Sequence, residues 1–362
     1  MAYRFILTFF LGFMLPAALR AEDAPWQPQP GKFPPAKASH HLAGELIQMD
    51  HVNRTGQLRP DRRDDQRTDD YDRALPFSLL PYGTIRYHGA PAELRDIPIG
   101  THLHGEWHWN PKAGKDGKGA YSLAFLLEDD FSYDQRRGRA WRVESLQPDK
   151  NTLTVTGLSL ADQKSDPKPT VFKTNGATLV WKEGGFGTLA EVAAGQVILF
   201  NITVATLKGP GRITDLWLDP ASLGTAAAHQ REVHRAYQKS HGLPGWIDSV
   251  DNEKKLVTIT LFAGFDPELA KDFVVKQRPA ALVAEESLRC YDQINDRMYG
   301  TLVEIRVVPT GPGNSGMQFV FQPEELLEGF RPHRILRLLA ASWPLDDIPW
   351  EEMLWPQDNR LK

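Results

Sequence analysis

The sequence predicts a mainly β protein: three small β-barrel or sandwich modules in tandem, with one connecting helix. Three observations carry that expectation. The 29 Gly and 27 Pro among 362 residues punctuate the chain with turns, while Val-Thr-Ile runs supply strand formers. One strand–turn–strand pattern recurs three times at near-constant spacing. Only the stretch after Asp219 combines a helix start signal with a clear stop.

In chain order, Arg4 precedes an apolar run from Phe5 to Leu19, and Ala21 stands before Glu22 and Asp23. A basic start, a short apolar core and a small residue before an acidic segment read as a secretory signal peptide over 1–21. The run is shorter than the roughly 20 residues that span a bilayer. Export places the mature chain in the periplasm or outside the cell, with no transmembrane segment. Residues 22–40, rich in Pro and Gln, read as a disordered or extended arm. Module 1 follows over 41–135, module 2 over 136–219, the helix over 220–243, module 3 over 244–345, and a tail over 346–362.

Each module opens on an apolar alternation ending in aspartate: Gly44 to Asp50, Val143 to Asp149 and Gly245 to Asp251. A turn and a strand follow, clear at Leu153–Thr156 and Leu256–Thr260, weaker at Gly56–Arg59. The pattern closes on an acid four residues before a glycine, then a strand: Asp96 and Gly100, Glu191 and Gly195, Asp296 and Gly300. From opening aspartate to closing glycine the intervals are 50, 46 and 49 residues. Short strands at this spacing suit a small OB-type barrel. The pattern resembles the OB-like repeat modules of exported bacterial proteins of planctomycete type. Gly100-Thr101-His102-Leu103-His104-Gly105, Glu328-Gly329-Phe330-Arg331 and Trp343-Pro344 add to the likeness. That group has no assigned activity, so the resemblance implies a fold and export but no catalytic residues.

Counting on from each closing glycine separates two faces. Offsets three, five and seven carry Leu103, Gly105, Trp107; Ile198, Phe200, Ile202; and Val303, Ile305, Val307, which read as a core face throughout. Even offsets vary freely and give each module its face for solvent, neighbour or ligand. The helix starts at Asp219-Pro220 and stops at Gly242 and Pro244. Val233 and Tyr237 would form its narrow packing stripe, and His229, His234 and His241 read as surface or cap residues.

Composition excludes some partners. Loss of the leader removes Arg4 and Arg20 and leaves 40 basic against 46 acidic residues. Nucleic acid needs clustered cations and is not an expected ligand. Cys290 stands alone, so no internal disulfide supports the fold and a buried thiol is expected. Residues 59–73 alternate five arginines with six aspartates and read as a solvated loop.

The chemistry concentrates in 100–109. Alternation puts His102, His104, Glu106 and His108 on one face of a strand, against Leu103 and Trp107. One reading is a polar outer face. The other is a metal site, with imidazole and carboxylate ligands suited to Zn, Cu, Ni or Fe. His102 and His104 are close enough to share an ion. His108 is about 20 Å from His102 by strand rise, so a further ligand must come from another strand. His88 is the nearest candidate, with His51 after it. A cupin-type His-x-His site is not matched, because Asp96 stands where that motif needs glycine. Gly-x-Ser-x-Gly, His-Glu-x-x-His and phosphate-loop motifs are absent. Glu128, Asp129 and Asp130 form a local acidic run, whereas glycoside chemistry needs opposed carboxylates. The expectation is a non-enzymatic binding or structural component of the cell envelope with an unidentified envelope or extracellular partner. The alternative is a metal-binding protein or metal-dependent enzyme around His102 and His104. Catalytic residues are not readable.

Overall fold

The computed structural model describes residues 26–35, 38–61, 74–112, 122–203, 211–276, 280–284, 297–344 and 349–352. Residues 1–25, which include the expected signal peptide, most of the Arg/Asp-rich loop, Cys290 and most of the 346–362 tail lie outside the described residues. The chain is mainly β, and three barrels follow one another.

The first barrel contains β1 (His40–Asp50), β2 (Thr55–Pro60), β3 (Leu75–Tyr87), the short β4 (Ala90–Ala92), β5 (His102–His108) and β6 (Leu123–Asp129). Its ring runs β1-β2-β3-β6-β5, with β3 and β6 parallel and the other ring pairs antiparallel. Leu46, Leu58, Phe77, Leu103, Trp107 and Leu127 fill it. A short helix, α1 (Asp130–Arg136), leads to the second barrel.

The second barrel is built from β7 (Arg139–Gln147), β8 (Thr152–Ser159), β9 (Thr170–Lys173), β12 (Val197–Thr203) and β13 (Arg212–Trp217). A hairpin of β10 (Leu179–Lys182) and β11 (Gly185–Gly187) lies on β13. The ring β7-β8-β9-β13-β12 repeats the first barrel's order, including the parallel pair β9–β13.

After α2 (Pro220–His241) come β14 (Leu243–Asp251), β15 (Leu256–Phe262), β16 (Ala280–Ala284), β17 (Arg297–Val307), β18 (Asn314–Pro323) and β19 (Ile335–Leu339). They close in the order β14-β15-β18-β17-β16-β19, all antiparallel.

The third barrel corrects the placement of its repeat. In the first two, the opening strand bulges at Leu46/Gln48 and Val143/Ser145 and pairs with the strand after the closing glycine. Gly100 N–H donates to Leu46 O and Leu46 N–H to Thr101 O; Gly195, Val143 and Gln196 repeat this. In the third barrel the bulge at Ile247/Ser249 makes the same pair of bonds with His333 and Arg334. The counterpart of Gly100 is therefore His333, also at positive φ, and the closing strand is β19. Gly300 instead lies inside β17, which pairs with β16 and β18. No strand follows β19 among the described residues, and the β16–β17 hairpin fills the gap that β6 and β13 fill in the other barrels.

α2 is capped by Asp219, whose carboxylate accepts Ser222 N–H, and ends at Gly242 with φ +78. Its buried stripe is polar, not the expected Val233 and Tyr237. Gln230 donates to Asp96, and Gln238 donates to Glu93. His234 also faces Glu93, at 3.4 Å, and His241 Nε2 donates to Glu352 at 2.7 Å. His234 and His241 are buried, contrary to their sequence reading, because the turn after β4 offers Glu93 to the first and the 350–352 segment offers Glu352 to the second. His229 is exposed. Phe33 packs edge-on against Tyr82 and Phe262, and Trp246 joins them, so arm, first barrel and third barrel share one apolar seam. Among the described residues, no helix is long and apolar enough to cross a membrane.

Gly105 shows how tightly β5 is fitted. A Cβ there would stand 2.3 Å from the Trp107 indole nitrogen, which donates to Leu42 O. Gly105→Ala is expected to cost about 1–3 kcal/mol through overpacking. Urea denaturation checks this; an unchanged midpoint would show that the indole can move aside.

Candidate metal centre

β5 runs antiparallel to β6 with Leu103 opposite Asp129 and His104 opposite Glu128. That register sets Asp130, the first residue of α1, beside the outward side chains of His102 and His104. His102 Nδ1 donates to Asp130 Oδ1 at 2.7 Å, and His104 Nε2 donates to the same oxygen at 3.1 Å. One ligand atom from each lies within 4.8 Å of the others. The second ring nitrogen of His102 donates to Asp61 at 3.1 Å. Asp61 is placed by the end of β2, its N–H bonded to Ala43 O.

The carboxylate of Asp130 is held from its other side by the second barrel. The β12–β13 ladder is irregular where Asn201 and Ile202 meet β13, with Thr214 of β13 as the extra residue. Ile202 N–H donates to Asp130 Oδ2 at 3.0 Å. Asn201 accepts Phe131 N–H and donates to Asp129 at 2.8 Å. Asp129 also caps α1 by accepting Ser132 N–H. Phe131 meets Trp217 edge-on beneath this polar layer. The cluster therefore sits on the junction of barrels one and two.

Electrostatics follow from this packing. Burial opposes a charge on His102, but Asp130 and Asp61 outweigh it and push its pKa up to about 10. Ionised carboxylates only accept, so both ring nitrogens carry protons when no ion is present. Burial opposes ionisation of Asp130 too, and the charge and hydrogen bond of His102 overcome it, holding this carboxyl below the usual range. Burial pushes Asp129 up, and pushes Asp134 up to about 6. Tyr133 stacks on His104 with ring centres 3.5 Å apart, and the Arg137 guanidinium lies 3.6 Å over Tyr133. Two flat groups that close must occupy opposite faces of the phenol ring.

The other residues predicted for a site are elsewhere. Glu106 points to the rim and accepts Ser39 Oγ at 3.0 Å. His108 is buried against the arm, bonding Ala38 O and meeting Trp26 edge-on, because β5 continues past the cluster toward the seam with barrel three. His88 occupies a turn at φ +50, stacked on Tyr87 and edge-on to Trp217; only its backbone N–H reaches Asp129. His51 lies in the β1–β2 turn, within the field of Glu352. The sequence reading missed Asp130, seen there as part of an acidic run, and Asp61, assigned to a solvated loop. The one available signal was Asp130's place right after a strand that could pair with the His-rich one.

The set has two imidazoles and one carboxylate, a borderline-hard donor set without thiolate. A ligating histidine commonly gives its second N–H to a carboxylate, the place Asp61 takes on His102. An ion here would have to displace the protons that His102 Nδ1 and His104 Nε2 give to Asp130. Comparison of the chain with family models, with curated proteins and with solved structures finds no match.

The raised pKa of His102 gives a signed prediction. Its stabilising contribution is complete below its ordinary value of 6.5 and is lost as pH rises through about 10. Chelator-treated protein, denatured with urea across this range, is expected to lose stability that His102→Asn protein does not lose. Parallel pH curves for the two would remove the charged His102 from the account.

Proposed function

We propose that the chain is an exported three-barrel protein that holds a divalent transition-metal ion at the junction of its first two barrels. In this reading it serves the cell envelope as a non-enzymatic binding or structural component. The observation that carries the proposal is the convergence of His102 Nδ1 and His104 Nε2 on one oxygen of Asp130, with Asp61 and Ile202 N–H behind them. Those outer bonds orient the donors as the supporting groups of a metal site do.

The strand order of barrels one and two, with its parallel third and fifth strands, supports an OB-like assignment for these two modules. The third has the OB-like opening and closing strands with an inserted hairpin between. The apolar leader supports export to the periplasm or beyond. A metal-dependent enzyme is the second reading; Asp134, whose carboxyl is pushed up to about 6 four residues after Asp130, favours it, since such a group can exchange a proton near neutrality.

Metal analysis of protein purified without a histidine tag tests the proposal. About one zinc, copper, nickel or iron ion per chain is expected, and its loss in the His102→Ala, His104→Ala double variant. Protein that binds no ion and shows no thermal shift on adding Zn or Cu would sink it.

A further inference from the structure

We infer that His41 is a fourth ligand of the ion, so that three imidazoles and one carboxylate close a four-coordinate, zinc-type site. The inference rests on the metal reading above and adds to it a residue, a coordination number and a consequence.

Placement comes first. β1 pairs with β5 so that Ala43 faces His104 and His41 faces Glu106. His41 and His104 are thus diagonal neighbours on one outer face, a separation that long or aromatic side chains bridge. The residue opposite His104 on β1 is the small, buried Ala43. The ring centres of His41 and His104 are 5.6 Å apart, and those of His102 and His104 are 4.8 Å apart. Imidazoles on one tetrahedral zinc, with Zn–N of 2.0–2.1 Å, have ring centres about 5 Å apart. Both spacings lie within a small side-chain adjustment of that value.

Commitment comes second. The other polar groups around the opening are engaged: Asp61 with His102, and Glu106 with Ser39. No hydrogen bond or ion pair of His41 is seen among the described residues; its ring meets His104 and Tyr133, and Glu106, Asp61 and Arg137 lie close enough for their charges to act on it. Its imidazole stands uncommitted beside the cluster, where His104 Nδ1 is the other ring nitrogen without a hydrogen-bond partner. Tyr133, stacked on His104, holds that ring in place while the exposed His41 turns. Zinc bound by protein alone is almost always four-coordinate, whereas catalytic zinc keeps one position for water or substrate. A fourth protein ligand therefore makes this a holding site, in agreement with a non-enzymatic role.

Cobalt(II) substitution reads the coordination directly. The full mature chain is loaded with Co(II), and its visible absorption per bound ion is compared in wild type, His41→Ala and His41→Cys. Wild type is expected to show the intense bands of a tetrahedral ion. His41→Ala should still bind an ion through His102, His104 and Asp130, with weaker bands as water enters, and with zinc affinity reduced about tenfold or more. His41→Cys should add a near-ultraviolet sulfur-to-cobalt charge-transfer band, which appears only if position 41 touches the ion. Melting of the ion-free variants, expected to match wild type, separates a ligand effect from unfolding. Identical spectra and affinities in wild type and His41→Ala, with no charge-transfer band in His41→Cys, would overturn the inference while leaving a three-ligand site standing. Wild-type protein that binds no ion would overturn it together with the metal reading.

Discussion

Every barrel is closed by the same small device, and the positions of all candidate functional residues depend on it. A bulge residue in the opening strand exchanges two backbone hydrogen bonds with a turn whose first residue has positive φ: Leu46 with Gly100 and Thr101, Val143 with Gly195 and Gln196, Ile247 with His333 and Arg334. The device pins register, and register in a barrel decides which side chains face inward. Leu103, Ile198 and Leu336 follow the turn at the same offset, and all three are buried in their cores. The residues on either side must face outward, where they meet whatever the neighbouring element presents.

That outward face is used in three ways. In the second barrel Leu199 joins Phe131 and Trp217 in an apolar seam. In the third, Arg337 donates to Gly242 O at the end of α2. In the first it presents His102 and His104 to Asp130. A shared scaffold position thus carries an apolar contact, a helix-end contact or an imidazole–carboxylate cluster, while the core face stays apolar. The junction is not built for stability alone, because burying Asp129, Asp130 and His102 is costly unless each is paired. The pairing is supplied by β12 of the second barrel, whose Ile202 amide donates to Asp130 and whose Asn201 donates to Asp129.

Much of this was legible in the sequence where the physics is local. Period-two alternation separated Leu103 and Trp107 from the histidines, and Asp219-Pro220 with Gly242 marked the ends of α2. Long-range register was not legible. Asp130 reaches His102 only because β6 returns antiparallel beside β5, and Asp61 only because β2 ends beside Ala43. The third repeat was placed at Gly300 because an acid four residues before a glycine also occurs there by coincidence. Its true counterpart has His333 in place of glycine, since positive φ is accessible, at some cost, to a non-glycine residue. The buried polar stripe of α2 was equally hidden: Gln230, His234 and Gln238 look solvated until the turn after β4 supplies Glu93 and Asp96.

The placement of the cluster argues about what an ion would do. Asp130 is bound on one side by imidazoles of barrel one and on the other by an amide of barrel two. An ion drawing on Oδ1 would stiffen the carboxylate whose Oδ2 anchors Ile202, and hence the contact between the barrels. In the ion-free state the protonated His102 already plays that part, held between two carboxylates. Exchanging a proton for a divalent ion keeps positive charge at the same spot, so the junction is suited to both states, and ion binding need not rearrange the fold. That equivalence favours a protein in which the ion tightens or reports on a preformed junction over one that folds around its metal.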